Sequence, residues 1–263
     1  MVVADCDVDA ADMHLLMKPD YDFSEDFYSG QLAYIDPDNC IQCDKCAQVC
    51  RFDAISVKNR QYVIDPLSCE GCGYCARICP TGTIINKERL AGQWYVSNIK
   101  TKSIMVHARL GIGADNSGKL VAKVKNEARK IAGEKQKNII LVDGSPGVGC
   151  PVVSSLTGAN FVVLVTEPSV SGIHDVKRVY ELVRKFRIKT GCIINKADIN
   201  PGKRAEILQF LKDENIELLT ELPYNENFTK AMTRGLTIVE YDNEELNNRL
   251  LVGWEKTLAL LNN

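Results

Sequence analysis

The sequence predicts an α/β protein, a doubly wound and mostly parallel sheet interrupted by a small cysteine-rich α+β insert. Two observations carry this. Short, β-branched apolar runs alternate with amphipathic stretches after residue 88, the pattern of strands buried on both faces with helices laid over them. Eight of the eleven cysteines fall between Cys40 and Cys79, inside a unit that repeats after 29 residues (Cys40 to Cys69). The predicted partition is an insert over 31–87 and an α/β domain made of 1–30 and 88–263.

Composition narrows the function classes. A chain of 263 residues can bury one large core, or one core with a small second module. A net charge of −2 leaves no electrostatic case for nucleic acid or an anionic membrane. No apolar run approaches the ~18 residues of a membrane span. The start of the chain lacks a basic segment followed by an apolar core, so no signal peptide is expected and a cytoplasmic location is. In such a chain, clustered thiols point to metal rather than to disulfides.

The first element is a strand: MVVADCDVDA delivers Asp5, Cys6 and Asp7 at its end, with Cys6 turned into the core by strand alternation. The insert follows. Residues 40–50 read CIQCDKCAQVC and residues 69–79 read CEGCGYCARIC, both C-x2-C-x2-C-x3-C, each preceded by Ile-Asp-Pro. Three cysteines at two-residue gaps wrap three corners of an iron–sulfur cube, and the fourth turns away to the neighbouring cube. This assigns Cys40, Cys43, Cys46 and Cys79 to one [4Fe–4S] cluster and Cys69, Cys72, Cys75 and Cys50 to a second. Gly71, Gly73 and Gly82 are expected where backbone crowds the cubes. Paired zinc knuckles are the competing reading, disfavoured because zinc sites use longer intervals between cysteine pairs. Residues 31–87 resemble a bacterial two-cluster ferredoxin, departing from it at Arg51, where Pro is usual; Pro80 keeps the pattern in the second repeat.

Next come SIMVHARL as a strand and a helix over 120–132, with GADNSGKL (113–120) between them. That loop matches a phosphate-binding pattern up to Leu120, where Ser or Thr belongs, and Asn116 or Ser117 capping the helix explains it better. NIILVD (138–143), NFVVLVTE (160–167) and GCIINKAD (191–198) read as buried parallel strands, with helices within 172–187 and over 202–214. Polar residues sit at the carboxyl ends of these strands, where doubly wound sheets bind ligands. Asp143 is placed to hold the water shell of Mg²⁺, and Gly147 lies in the glycine-rich stretch that can swing toward a γ-phosphate. A tight turn after a core strand accounts for Asp143 equally well. Asn195 can hydrogen-bond a purine edge, Lys196 can lie over a base, and Asp198 completes NKAD, the guanine-reading pattern of GTPases, although a capped loop explains the tetrapeptide equally well.

In this order the motifs Asp-x-Asp, two-cluster insert, NSGKLV, VDGSPGVGCPV, VTEPSVSGIHDVKRV, IINKAD and LPYNENFTKA resemble the MinD/ParA-type P-loop ATPases that carry an inserted ferredoxin domain. The resemblance implies an ATP- and Mg²⁺-dependent dimer, of like chains or of paralogues, related to the nitrogenase iron protein and to iron–sulfur carrier ATPases. By it Asp7 is the first-switch acid, with Asp5 beside it in the nucleotide site. Asp143 is the second-switch acid, and Asn195 faces adenine, which favours ATP over GTP. It also implies a redox or acceptor protein as partner.

One departure stands out. The family begins with a strand and a Gly-Lys-Gly-Gly-x-Gly-Lys-Thr loop ahead of the Asp-x-Asp, and no such stretch is present. In the family that strand lies centrally and its helix covers one face, so its loss leaves unpaired backbone and exposed apolar surface. The expectation is that Met1 is an internal residue taken as a start. The alternative is a protein that has given up ATP and repacked, leaving a non-enzymatic electron carrier; a third reading is an assembly protein for metallocentres. Cys150 and Cys192 are expected to be ordinary thiols, and His14, His107 and His174 form no metal site; His174-Asp175 is placed in the first turn of a helix. Leu246, Leu250, Trp254, Leu258 and Leu261 are expected to dock a C-terminal helix on the sheet.

Overall fold

The computed structural model describes residues 1–114, 117–241 and 244–262. β1 (Val2–Asp5) is buried on both faces. A short helix, α1 (Met13–Met17), brings Met13 and Met17 onto Val3, Ile99 and Met105 on one of those faces. β2 (Phe23–Ile35) carries the chain into the insert, which holds α2 (Lys45–Val49), β3 (Ile55–Lys58), β4 (Gln61–Ile64) and α3 (Tyr74–Ile78). β5 (Ile84–Asn98) returns antiparallel to β2, and its Gly92–Asn98 portion pairs with β6 (Ile104–Leu110). One continuous ribbon therefore runs from the insert into the main sheet.

The rest alternates as predicted: α4 (Ser117–Glu134), β7 (Ile140–Asp143), α5 (Cys150–Leu156), β8 (Phe161–Thr166), α6 (Val170–Phe186), β9 (Lys189–Ile194), α7 (Pro201–Asp213) and β10 (Glu217–Glu221). α8 (Asn227–Thr233), α9 (Ile238–Tyr241) and α10 (Glu244–Asn262) follow. Local chemistry fixes several boundaries. The Ser169 Oγ accepts from the Gly172 amide at 3.0 Å and starts α6. Asn200 caps α7 by accepting from the Lys203 amide at 3.0 Å, with Pro201 in the first turn.

β6, β1 and β7 are parallel, and the five-stranded sheet runs β2-β5-β6-β1-β7. β10, β9 and β8 form a separate parallel sheet. Where one sheet was expected there are two, and among the described residues the edges of β7 and β8 are unpaired. Leu141, Val163 and Val165 beside this division are 43%, 39% and 65% exposed, far from the burial their apolar character favours. Each sheet has its own core. α4 lays Leu120, Val121, Val124 and Ala128 on Val2, Ala4 and Val106. Ile173, Val176 and Val183 of α6 join Leu164, Cys192, Ile194, Ile207 and Leu211 in the other. Helices bridge the two: the Lys125 ammonium on α4 donates to the carbonyls of Ser154, Ser155 and Thr157 at the end of α5 (2.8, 2.6 and 2.6 Å).

Three expectations are corrected. α10 docks on β10 through Leu246, Gly253 and Thr257, whereas Trp254 and Leu261 are exposed, because Gly253 and Thr257 let the backbone come close to Thr220. His174 and Asp175 lie beyond the first turn of α6, which begins at Val170. Gly82 has open space around it, so crowding does not account for it. Of the GADNSGKL loop, α4 begins at Ser117, and Asn116 lies outside the described residues.

Candidate functional site

The insert is built twice on one plan. Asp36 accepts from the Asp38 amide and the Asn39 side chain, and Asp65 accepts from the Leu67 amide and the Ser68 hydroxyl. Each Ile-Asp-Pro thus closes a turn just ahead of its first cysteine. The Asp36 amide donates to the Thr83 carbonyl and the Asp65 amide to the Ala54 carbonyl, so each turn is held by the opposite repeat. Left-handed backbone recurs at the same offsets: Gln42 and Gly71, Asp44 and Gly73, Asp53 and Gly82. Gly82 is there for its positive φ. At Gly71 a Cβ would also run into the backbone carbonyl of Gln31, so this position admits no side chain.

Two cavities result. One is bordered by Cys40, Cys43, Cys46 and Cys79; the other by Cys50, Cys69, Cys72 and Cys75. These are the two quartets that spacing assigned, and in both the fourth cysteine crosses from the other repeat. All eight are free thiols. Among the described residues, no three His, Cys, Asp or Glu side chains are close enough to share a single metal ion. Zinc bonded at ~2.3 Å would gather its sulfurs within about 4 Å of one another. Thiols spread around a cavity suit a cube instead, with each sulfur bound to its own iron. The residues present therefore fit an iron–sulfur cluster. Tyr62, Thr81 and Phe52, which also border the cavities, were not legible as site residues, because their approach depends on the fold of the repeat.

The acidic residues gather at the carboxyl ends of β1 and β7. Asp5 stands opposite Asp143 in the parallel register and on the same face. The Asp5 carboxyl is pushed up to about 7, first by burial and then by the Asp143 charge; the Asp7 amide bonds to it, and its Oδ2 has no partner among the described residues. Asp143 is raised by partial desolvation and by the Asp7 charge. Asp7 lies beyond the strand, half-buried. The Ser145 hydroxyl donates to the Cys6 carbonyl at 3.1 Å and ties the loop after β7, which contains Gly147 with φ 90°, to the end of β1. Cys6 and Cys192 are buried, as expected, and burial pushes both thiols up to about 12. Cys150 is exposed at the start of α5. His107 is buried, with Nε2 3.0 Å from the Ser97 Oγ, and burial lowers it to about 4.

Asn195, Lys196 and Asp198 follow β9 on the other sheet. The Asn195 amide donates to the Thr166 carbonyl, and the Asn195 Oδ1 accepts from the Lys196 amide. Lys196 pairs with Glu167 at 2.7 Å, a partner at the end of β8 that the sequence did not single out. The Asp198 Oδ1 accepts from the Tyr224 amide at 2.7 Å. The two groups, Asp5-Asp7-Asp143-Gly147 and Asn195-Lys196-Asp198, thus sit at the carboxyl ends of strands in different sheets.

Comparison with known proteins agrees with this architecture. Residues 33–86 match the model of a 4Fe-4S dicluster domain. MJ0578, an uncharacterized protein of Methanocaldococcus jannaschii, is 33% identical over 201 residues, 76% of this chain and 68% of that protein. The chain belongs to the MJ0578 family. A second protein of that organism, MJ0579, is 28% identical over 148 residues, and the chain spans about half its length (51%). Among solved structures, the cell division ATPase MinD of Pyrococcus furiosus superposes with a TM-score of 0.52 at 16% identity, covering 99% of this chain and 86% of that one. The septum site-determining protein MinD of Pyrococcus horikoshii, solved with Mg-ADP, gives 0.51 at 17% identity, covering 97% and 82%. This MJ0578-family chain therefore combines a MinD-like α/β fold with an iron–sulfur insert of the 4Fe-4S type. No helix among the described residues is long and apolar enough to cross a membrane.

Proposed function

We propose that this MJ0578-family protein is an iron–sulfur ATPase-like protein in which two [4Fe–4S] clusters exchange electrons with a protein partner under the control of bound ATP and Mg²⁺. The ribbon of β2 and β5 carries this reading. It joins the cysteine cavities to the sheet whose next strands, β6 and β1, end at Asp5 and Asp7. A shift at the acidic end of β1 is thereby passed to the insert through hydrogen-bonded strands rather than a slack linker. Each cluster, when bound, supplies a one-electron acceptor and donor.

The chain's own residues take the following roles. Cys40, Cys43, Cys46 and Cys79 hold one cluster, and Cys69, Cys72, Cys75 and Cys50 hold the other. Asp143 and Asp7 would hold hydrated Mg²⁺, which would supply charge to the phosphates, while Asp5 sets the charge at the root of that site. The Gly147 loop would face the γ-phosphate, and Asn195 would contact adenine. The Asp198 Oδ1 is engaged by the Tyr224 amide and Lys196 by Glu167, which leaves this pair less free to read guanine and favours ATP.

Anaerobic equilibrium dialysis of the cluster-loaded protein with labelled ATP tests this. Mg²⁺-dependent ATP binding is expected, weakened at least about tenfold in Asp143→Asn and in Asn195→Ala, with GTP binding more weakly. The unpaired edges of β7 and β8 favour a second reading, an electron carrier whose α/β domain only docks a partner. Failure of the loaded protein to bind ATP would sink the ATPase reading.

A further inference from the structure

The two cysteine cavities share a backbone plan, so differences between their walls stand out. Thr81, two residues after Cys79, places its Oγ1 3.5 Å from the Cys79 Sγ. Phe52 occupies the equivalent place after Cys50, one repeat earlier, and offers no hydrogen. A hydrogen bond to a ligand sulfur stabilises the extra negative charge of a reduced cluster and raises its potential.

Solvation acts in the same direction. The cavity of Cys40, Cys43, Cys46 and Cys79 is bordered by Lys45 as well as Asp44. The Asp44 carboxylate is occupied on both oxygens, by the Tyr62 hydroxyl at 2.7 Å and the Gln48 amide at 3.0 Å. The other cavity is bordered by Glu70, by the aromatic rings of Phe52 and Tyr74, and by Cys69, the one buried thiol of the eight; Arg51 adjoins its ligand Cys50 in sequence and offsets the Glu70 charge. The burial of Cys69 opposes adding an electron.

Position gives the difference a direction. The second cavity is bordered by Ala33, and its Gly71 abuts Gln31, partway along the ribbon; the first is bordered by Ile35 and Ile84, where the β2–β5 pairing ends. We propose that the clusters are electronically inequivalent. The one at Cys40, Cys43, Cys46 and Cys79 has the higher potential, Thr81 sets much of the gap, and the first electron rests at the end of the ribbon farthest from the α/β domain. There a redox partner reaches it without touching the nucleotide residues.

This inference rests on the two-cluster reading and is independent of ATP. The loaded protein is titrated anaerobically with sodium dithionite and mediator dyes, each step moving one electron from donor to cluster, and reduced clusters are followed by electron paramagnetic resonance. Two waves are expected. Thr81→Val lowers the upper wave alone, and Phe52→Thr raises the lower wave alone, narrowing the gap from either side. A single wave for the wild type, or a Thr81→Val shift in the lower wave, overturns the proposal. If Thr81→Val loses iron, Phe52→Thr decides alone: a lower wave that fails to rise is fatal. Iron and sulfide analysis separates the two failures, because fewer than about eight irons per chain would count against the two-cluster reading itself.

Discussion

Asp5 carries an energetic penalty that the Asp7 amide relieves only in part: it is 2% exposed, stands opposite Asp143, and its Oδ2 has no partner among the described residues. Its carboxyl is raised from 3.8 to about 7. A carboxyl raised by folding favours the protonated form, so its contribution is best below the unfolded value and is lost as pH rises toward the folded one. Full ionisation would cost at most about 4 kcal/mol at ~1.36 kcal/mol per pH unit. The loaded protein should therefore lose thermal stability as pH rises from about 4 to about 7, and Asp5→Asn should flatten that dependence and be the more stable at pH 8. Parallel pH profiles of wild type and variant would refute this assignment. The cysteines were legible because their spacing is itself the geometry of a cube, whereas Asp5 read only as one acid of a pair. Its burial follows from β1 lying between β6 and β7, which a single strand cannot announce.

Among the elements, the loops of the insert and the α4–α5 contact differ in what they tolerate. Gly71→Ala meets both a left-handed backbone and the Gln31 carbonyl, so it is expected to destabilise the insert by about 2–3 kcal/mol and to lower iron content. Gly82→Ala meets only the backbone restriction and should cost about 1 kcal/mol with both clusters retained. Equal iron loss in the two variants would sink the distinction. Lys125→Met removes the donor that serves three carbonyls at the end of α5, an expected loss of about 2 kcal/mol. That corresponds to about 4–8 °C in the melting midpoint; an unchanged midpoint would show the clamp to be dispensable. Strands such as FVVLVT were legible from β-branched runs. The length of the β2–β5 ribbon was not, because FSEDFYSGQLAYI mixes exposed aromatics and charges on a strand at the sheet edge.

For the whole molecule, the division between β7 and β8 sets the cooperativity. Alternating strands and helices predicted an α/β layer, and the chain has one, but alternation says nothing about which strands touch. One core is gathered on Val2, Val106 and Val124 and the other on Leu164, Ile194 and Ile207, with no strand ladder between them among the described residues. What connects them is helical: α5 lies against α4 through Lys125, and its Val152 and Leu156 belong to the second core. Cooperative units follow contiguous packing, so blocks that share no strand ladder open with different free energies. Native-state hydrogen exchange on the 263-residue chain should show the amides of β1 and β6 opening at one free energy and those of β9 at another. The outward edges of β7 and β8 should exchange fastest of all the strands. Lys125→Met should widen the interval between the two blocks by loosening the layer that links them. If β1 and β9 instead exchange through one shared opening, and Lys125→Met lowers both equally, the helices alone suffice to make the molecule a single cooperative unit.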